Sequence, residues 1–139
     1  MHLQESGEMY LETLYILLRT RPAVRSIDIV DYMNLSKPSV SRAVGLLRKG
    51  GYITVDDDGH LHLTETGEQV ASKIYERHTL LTNFLMALGV DQKTASDDAC
   101  RMEHIISDKT FDAMKRHAVL KGADYVLEEE YDPDIQQEP

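Results

Sequence analysis

Three side chains that can bind a transition metal occur together in the stretch DACRMEH, Asp98–His104. Glu103 and His104 follow Cys100, the single cysteine of the chain, by three and four residues. On a helix these spacings place all three side chains on one face. Thiolate, carboxylate and imidazole together suit a divalent transition metal. The alternative is structural: a small core cysteine, a solvated glutamate and a hydrogen-bonded histidine.

Further candidate ligands lie in two other segments. The first predicted helix carries Glu8, Met9 and Glu12, which add two carboxylates and a thioether. Met9 and Glu12 are three residues apart and therefore share a helical face. A long middle helix adds the imidazole of His78. The structural alternatives are a core methionine and a partly buried histidine with hydrogen-bonded ring nitrogens.

The first elements that must position these residues are helices. Apolar spacing predicts a helix over Glu8–Arg19, which ends before Pro22. Ser26 is predicted to cap a short helix, IDIVDYM, whose apolar positions are Ile27, Val30 and Met33. Ser36 is predicted to cap a third helix, Lys37–Lys49, with Pro38 in its first turn, Val40, Val44 and Leu47 on its inner face, and Gly50-Gly51 at its end.

A hairpin and three more helices are predicted to follow. In YITVDDDGHLHLT, Ile53 and Val55 match Leu61 and Leu63 across an Asp-Gly turn. Thr64 can cap a helix that runs to about Ala87, where Gly89 breaks it; a second helix is predicted over Asp91–Ile106; and Ser107 can cap a third, SDKTFDAMKRHAVL. Ala123–Tyr131 is a further helical candidate.

The order helix, helix, turn, helix, hairpin is typical of a winged helix-turn-helix, a DNA-binding unit. The outer face of the third helix has short hydroxyls and cations that can contact phosphates and base edges. We expect contacts with double-stranded DNA from Arg25, Ser36, Lys37, Pro38, Ser39, Ser41, Arg42 and Lys49, with Arg42 as the base contact. The alternative is an α+β domain that binds no DNA and carries these residues as solvated side chains.

The distribution of charge supports DNA binding, although the formal net charge of −9 does not. Between Arg19 and Gly51, seven basic residues face two acidic ones. After Lys121 there are seven acidic residues and no basic one. The negative total therefore belongs mainly to an acidic tail.

Composition excludes several classes of protein. No apolar run approaches the length of a membrane span, and the N-terminus lacks a secretory pattern. One cysteine cannot form an internal disulfide, so a cytoplasmic location fits best. The sequence has no phosphate-binding glycine loop and no nucleophile-base signature, so we expect neither an enzyme nor a small organic substrate; a small metalloenzyme is the disfavoured alternative.

A homodimer is expected, because one recognition helix contacts about one half-site. The apolar residues of the second half exceed what a lone winged helix needs to cover; they are Leu80, Leu81, Phe84, Leu85, Leu88, Ile105, Ile106, Phe111 and Met114.

Five collinear blocks resemble the diphtheria-toxin-repressor family of metal-dependent transcriptional repressors, which includes the manganese transport regulators. They are EMYLETLYIL, SKPSVSRAV, HLTETGE, ERHTLL and DDACRMEHIISD, spread over roughly residues 5 to 120. The resemblance implies a dimeric repressor that binds operators of metal-uptake genes when a divalent metal is bound. From the resemblance we expect a short member of the family, without the SH3-like C-terminal domain of the long members.

The resemblance also implies a ligand set. The primary site of iron-responsive members corresponds to Met9, Cys100, Glu103 and His104, all of which match. Manganese-responsive members replace the methionine by aspartate and the cysteine by glutamate, and also use the positions of Glu12 and His78. The iron group has an ancillary site with glutamate at the position of Thr82 and histidine at that of Ser96, so we expect that site to be incomplete here. The soft thioether and thiolate favour Fe(II), with Mn(II) as the alternative.

These inferences combine into one architecture. We expect a mostly α fold with a small β-hairpin wing: a winged helix-turn-helix DNA-binding domain over residues 1–72, a helical dimerisation and metal-binding domain over 73–122, and an acidic tail over 123–139. A winged-helix regulator that does not respond to metal remains the alternative function.

Overall fold

The computed structural model describes residues 5–120, which form helices and one hairpin. The elements are α1 (Glu5–Thr20), α2 (Ser26–Met33), α3 (Lys37–Lys49), β1 (Ile53–Val55), β2 (Leu61–Leu63), α4 (Glu65–Ala87), α5 (Gln92–Met102) and α6 (Asp108–Leu120). They confirm the mostly helical class with an N-terminal winged helix-turn-helix and a helical second part. The chain divides into two compact units between Lys73 and Ile74, within α4. The acidic tail and the candidate helix Ala123–Tyr131 lie outside the described residues.

In the first unit, α1, α2, α3 and the hairpin enclose an apolar core. α1 contacts α2, α3 and β2, and α3 contacts α2 and β1. The core side chains are Leu11, Leu14, Leu17, Val24, Ile29, Val40, Leu47, Ile53 and Leu61, each at most 4% exposed. The burial of Val40, Val44 and Leu47 confirms the inner face predicted for α3.

The predicted caps of α3 and α4 are confirmed. The Ser39 backbone N–H donates to Ser36 Oγ at 3.3 Å, and the Gly67 N–H donates to Thr64 Oγ1 at 3.1 Å. Each bond satisfies an N–H group that has no partner within its own helix. Side-chain hydroxyls therefore start both helices, as their positions in the sequence predict.

The predictions for α2 were partly wrong. The capping residue is Arg25, whose backbone N–H donates to the Asp28 carboxylate at 2.8 Å, and Ser26 is instead the first residue of the helix. The buried residues are Ile29 and Tyr32, whereas Ile27 is exposed and Val30 and Met33 are half-buried. Positions three apart drift around a helix of 3.6 residues per turn, and contact with α1 and α3 selects the buried face.

The hairpin has the predicted register. Ile53 pairs with Leu63 and Val55 with Leu61, in antiparallel orientation. Gly59 has a φ of +81° in the turn, a conformation that glycine adopts without steric cost. The Leu61 N–H also donates to the Val24 carbonyl at 2.7 Å, which attaches the hairpin to the segment before α2.

In the second unit, the cap of α6 is confirmed, since the Thr110 N–H donates to Ser107 Oγ at 3.1 Å. α5 begins after Asp91, which accepts from the Thr94 N–H at 3.0 Å, and it ends at Met102, four residues before the predicted end. The N–H groups of Ile105 and Ile106 both donate to the Met102 carbonyl at 3.0 Å. The chain must turn here because α6 starts immediately afterwards.

Some apolar residues of the second unit are buried and others are exposed. Leu80, Leu81 and Phe111 are core residues, each at most 4% exposed. Leu88 and Ile105 are 68% and 76% exposed. The apolar residues predicted for the interface are therefore partly core residues of this unit and partly surface residues. Each helix of the described residues is too short or too polar to cross a bilayer.

Candidate metal centre and nucleic-acid interface

A buried histidine and a buried glutamate form the centre of the second unit. His78, on α4, is fully buried, and Glu103, the residue that follows α5, is 3% exposed. His78 Nδ1 lies 2.8 Å from Glu103 Oε2. A carboxylate withdrawn from water needs such polar partners, because burial without them is costly.

His104 and Cys100 complete a cluster around the same carboxylate. His104 Nε2 lies 3.2 Å from Glu103 Oε1, and the side chains of both are almost fully buried. The ligand atoms of Cys100, Glu103 and His104 all lie within 4.8 Å of one another. Glu103 and His104 lie beyond the end of α5, but the Glu103 N–H still donates to the Ala99 carbonyl at 2.9 Å. The helical spacing therefore continues far enough to gather the three side chains.

The donor set fits a divalent transition metal. Both carboxylate oxygens of Glu103 face imidazole nitrogens, and the thiol of Cys100 is close by. The approach of Glu103 Oε1 to His104 Nε2 does not have hydrogen-bond geometry. Nitrogen, oxygen and sulfur donors that converge in this way can direct lone pairs to one cation. Each imidazole and the thiol must lose its proton to do so.

The positions of the ancillary site hold hydroxyls. Ser96 Oγ lies 3.3 Å from His78 Nε2, on the side of the ring opposite Glu103. Thr82 is fully buried, and its hydroxyl has no hydrogen-bond partner among the described residues. Ser96 therefore serves as a second partner of the His78 ring, the usual role of a group behind a histidine ligand.

Met9, Glu12 and Glu8 belong to α1, in the first unit. Glu12 is 4% exposed, while Met9 and Glu8 are half-buried. Thr13 Oγ1 donates to the Met9 carbonyl at 2.9 Å, one turn along the helix. A buried carboxylate on an otherwise apolar face is an unusual choice for a core position.

The predicted DNA-contacting residues are at the surface of the first unit. Arg25, Ser36, Lys37, Pro38, Ser41, Arg42 and Lys49 are exposed and Ser39 is half-buried. Three of them are hydrogen-bonded to each other: Ser36 Oγ donates to Ser39 Oγ at 2.8 Å, and Arg42 Nη2 lies 3.4 Å from the same oxygen. Arg42 is thus held across the first turn of α3, with its guanidinium at the surface.

The wing contains a cluster that the sequence analysis did not single out. Ligand atoms of Asp56, Asp58 and His60 lie within 4.8 Å of one another. Asp56 Oδ1 accepts from the N–H groups of Asp58 and His60, each at 2.9 Å, and Oδ2 lies 3.0 Å from His62 Nε2. The hydrogen bond with His62 and the bond from the His60 N–H lower the pKa of Asp56 to about 2. These bonds assign Asp56 to the organisation of the turn, and the pattern Asp-x-Asp-x-His was the available signal.

Two family models together match most of this chain. Residues 2–61 match a family model described as the N-terminal DNA-binding domain of iron-dependent repressors, and residues 64–118 match one described as their metal-binding and dimerisation domain. Transcriptional regulator MntR of Escherichia coli is 33% identical over 88% of this chain and 79% of its own. The diphtheria toxin repressor of Corynebacterium diphtheriae is 32% identical over 77% of this chain and 48% of its own.

A solved structure has a similar fold. The manganese regulator SloR superposes with a TM-score of 0.74 at 27% identity, over 81% of this chain and 53% of its own. The present chain therefore spans about half the length of SloR and of the diphtheria toxin repressor. Two adjacent family models, the relatives and the fold lead to the same result: this chain belongs to the iron-dependent repressor family of metal-dependent transcriptional regulators.

Proposed function

We propose that this chain represses transcription by binding operator DNA as a homodimer when a divalent metal occupies a site organised around Glu103. One observation carries the proposal: the Glu103 carboxylate is buried between the imidazoles of His78 and His104, with the Cys100 thiol beside it. No catalytic role is needed for this arrangement, and the relatives are transcriptional regulators.

We assign six ligands. His78, Cys100, Glu103 and His104 supply imidazole, thiolate and carboxylate from the second unit. Met9 and Glu12 supply thioether and carboxylate from α1, an assignment that rests on the family resemblance of the EMYLE block and on the burial of Glu12. A bound metal contributes positive charge. This charge offsets the repulsion between negatively charged ligands and the free-energy cost of removing them from water.

Fe(II) is the favoured metal and Mn(II) the alternative. Thiolate and thioether bind softer ions preferentially, whereas Mn(II) prefers oxygen and imidazole. The matching family models are described as iron-dependent, and SloR is described as a manganese regulator. The donor set of this chain, in which Cys100 stands beside Glu103, is the reason for our preference.

DNA recognition is assigned to α3 and its surroundings. Arg42 is proposed to contact bases, and Lys37 and Lys49 are proposed to contact phosphates, since all three are exposed. A dimer would present two such helices to successive half-sites. Exposed Leu88 and Ile105 are apolar surface available for its interface. With DNA as the partner, the cytoplasm is the proposed location.

Mobility-shift assays with matched variants test the proposal. Duplexes are first selected from a random-sequence pool by wild-type protein loaded with Fe(II) or Mn(II). Wild type should then shift them with metal and release them with chelator, whereas Glu103→Gln should bind weakly in either condition. Glu68→Gln, which changes an exposed glutamate of α4, should behave as wild type. Equal binding with metal and with chelator would contradict the proposal and favour a winged-helix regulator that does not respond to metal.

A further inference from the structure

We propose that Arg77, which is not a ligand, is the positioning residue of the metal centre. This inference rests on the proposed function, because it concerns how the ligands Glu103 and His104 are held. Arg77 precedes His78 in α4, so one turn of helix supplies both a ligand and the group that fixes the backbone of the others.

The guanidinium of Arg77 binds the turn between α5 and α6 at several points. Nη1 donates to the carbonyl of Glu103 at 3.2 Å and to that of Ile106 at 3.0 Å. Nη2 donates to the carboxylate of Asp108, in the first turn of α6. The ring of Phe111 lies beneath the guanidinium, with its centroid 5.3 Å from Cζ. One side chain therefore joins α4, the end of α5 and the start of α6.

The two carbonyls need such a donor. α5 ends at Met102, so the carbonyls that follow have no further helical turn to donate to them. Glu103 is almost fully buried, and a buried carbonyl without a partner is costly. Arg77 supplies donors at a point where water has little access.

Arginine suits this position better than lysine does. Arg77 is itself 8% exposed, and Asp108 and Phe111 compensate its buried charge. A planar fork of donors can serve two carbonyls and a carboxylate at once. An ammonium group concentrates its donors at one point, so Lys would retain the charge and lose part of this geometry.

The contact at Glu103 connects this network to the metal centre. Arg77 holds the backbone of the same residue whose carboxylate lies 2.8 Å from His78 Nδ1 and 3.2 Å from His104 Nε2. Metal–ligand distances in well-formed sites lie within about 0.2 Å of their usual values. A small displacement of the Glu103 backbone would therefore lower metal affinity without changing any ligand.

Metal titration of purified, reduced, full-length variants tests the inference. Mn(II) and Co(II) affinities are measured by competition with a chelator, the Co(II) absorption spectrum reports ligand geometry, and thermal unfolding without metal reports stability. Arg77→Met should weaken affinity by about 10–100-fold, the usual range for groups that orient ligands, and should change the Co(II) spectrum. Arg77→Lys should restore part of the affinity. Arg101→Met is the matched control, since Arg101 is exposed on α5, two residues from Glu103, and contacts Asp98.

Each outcome decides the matter. If Arg77→Met lowers stability but the folded protein binds metal with wild-type affinity and spectrum, Arg77 is only structural and the inference is wrong. If Arg77→Met does not fold, Arg77→Lys replaces it, and wild-type affinity of that variant would overturn the inference. Wild-type protein that binds no divalent metal would instead contradict the proposed function, and this result is distinguishable because it precedes any comparison of variants.

Discussion

Under the proposed function, Cys100 is the residue on which the choice of metal depends. Its thiol is half-buried beside Glu103 and His104, the two residues that contribute oxygen and nitrogen. Carboxylate and imidazole bind many divalent ions, whereas thiolate discriminates in favour of softer ones. Selectivity for Fe(II) or Mn(II) should therefore respond to this side chain more than to any other in the second unit.

Cys100→Glu should shift the preference of the site towards Mn(II). The substitution replaces a soft donor by a hard one, so we expect Mn(II) affinity relative to Co(II), a stable soft-site probe, to rise by roughly tenfold or more. Chelator competition with both metals measures the ratio. Cys100→Ala is the control, because it removes the thiolate without adding an oxygen donor and should weaken both metals. An unchanged ratio in Cys100→Glu would show that the thiol is not a ligand.

The cluster around Glu103 was predictable only in part. The spacing of Cys100, Glu103 and His104 is a local property, and it gathers the three side chains even though α5 ends early. The partners of these residues are distant in sequence: Ser96 is 18 residues from His78, and Arg77 is 26 residues from Glu103. No periodicity encodes such contacts, because they arise when α4, α5 and α6 pack.

At the scale of elements, the start of α4 depends on one close approach. A Cβ built on Gly67 would overlap the carbonyl oxygen of Tyr52, whereas a Cβ on Gly45, in α3, would have no neighbour within 4 Å. Two hydrogen bonds from Thr64 also connect the start of α4 to the residues before β1. Its N–H donates to the Tyr52 carbonyl at 3.0 Å, and its hydroxyl donates to the Gly51 carbonyl at 2.6 Å. The wing and α4 are therefore joined by backbone contacts that exclude a side chain.

Gly67→Ala should destabilise the protein by about 1–3 kcal/mol, the usual cost of forcing an extra methyl group into a packed site. Gly45→Ala should instead stabilise it by about 0.4–1 kcal/mol. Gly45 is exposed on a helix, and alanine there lowers the conformational entropy that the unfolded chain loses on folding. Denaturant unfolding of the metal-free proteins measures both changes. Equal effects of the two substitutions would show that the approach to Tyr52 is not rigid.

α3 carries the prediction about DNA specificity. Arg42→Ala should cost about 1–3 kcal/mol on the preferred duplex and relax the preference at one base position, because a base contact carries sequence information. Lys37→Ala should weaken binding to all duplexes alike and reduce the salt slope by about 1, as a phosphate contact does. Binding isotherms on matched and substituted duplexes at several salt concentrations separate the two. Uniform loss in Arg42→Ala would assign it to phosphate.

The elements themselves were largely predictable because their signals are local. Ser36, Thr64 and Ser107 mark helix starts by their hydroxyls, and alternation of Ile53, Val55, Leu61 and Leu63 sets the hairpin register. The buried face of α2 was not predictable from the sequence, because its apolar residues have similar hydrophobicity. Packing against α1 and α3 determines that Ile29 and Tyr32 are the buried ones. The close approach of Gly67 to Tyr52 also needs the folded chain.

At the scale of the whole molecule, charge is divided between a basic DNA-binding region and an acidic tail. Removal of residues 122–139 would remove seven of the nine net negative charges. We expect the shortened protein to bind random-sequence DNA more tightly at low salt, because it repels phosphates less. The difference should shrink as salt screens the tail, with a Debye length of about 10 Å at 0.1 M and 3 Å at 1 M. Neutralising the seven acids to amides should reproduce the effect; a difference independent of salt would contradict it.

Metal and fold should also be linked across the whole chain. A ligand that binds only the folded state raises the free energy of unfolding, by about 2.7 kcal/mol when its concentration is one hundred times Kd. Wild-type protein should therefore unfold at a higher temperature in Mn(II) or Fe(II) than in chelator, and Glu68→Gln should show the same rise. Glu103→Gln should show little, because the carboxylate between His78 and His104 is lost. Calorimetry of all samples at one protein concentration measures these differences; an equal rise in Glu103→Gln would place the stabilising metal elsewhere in the molecule.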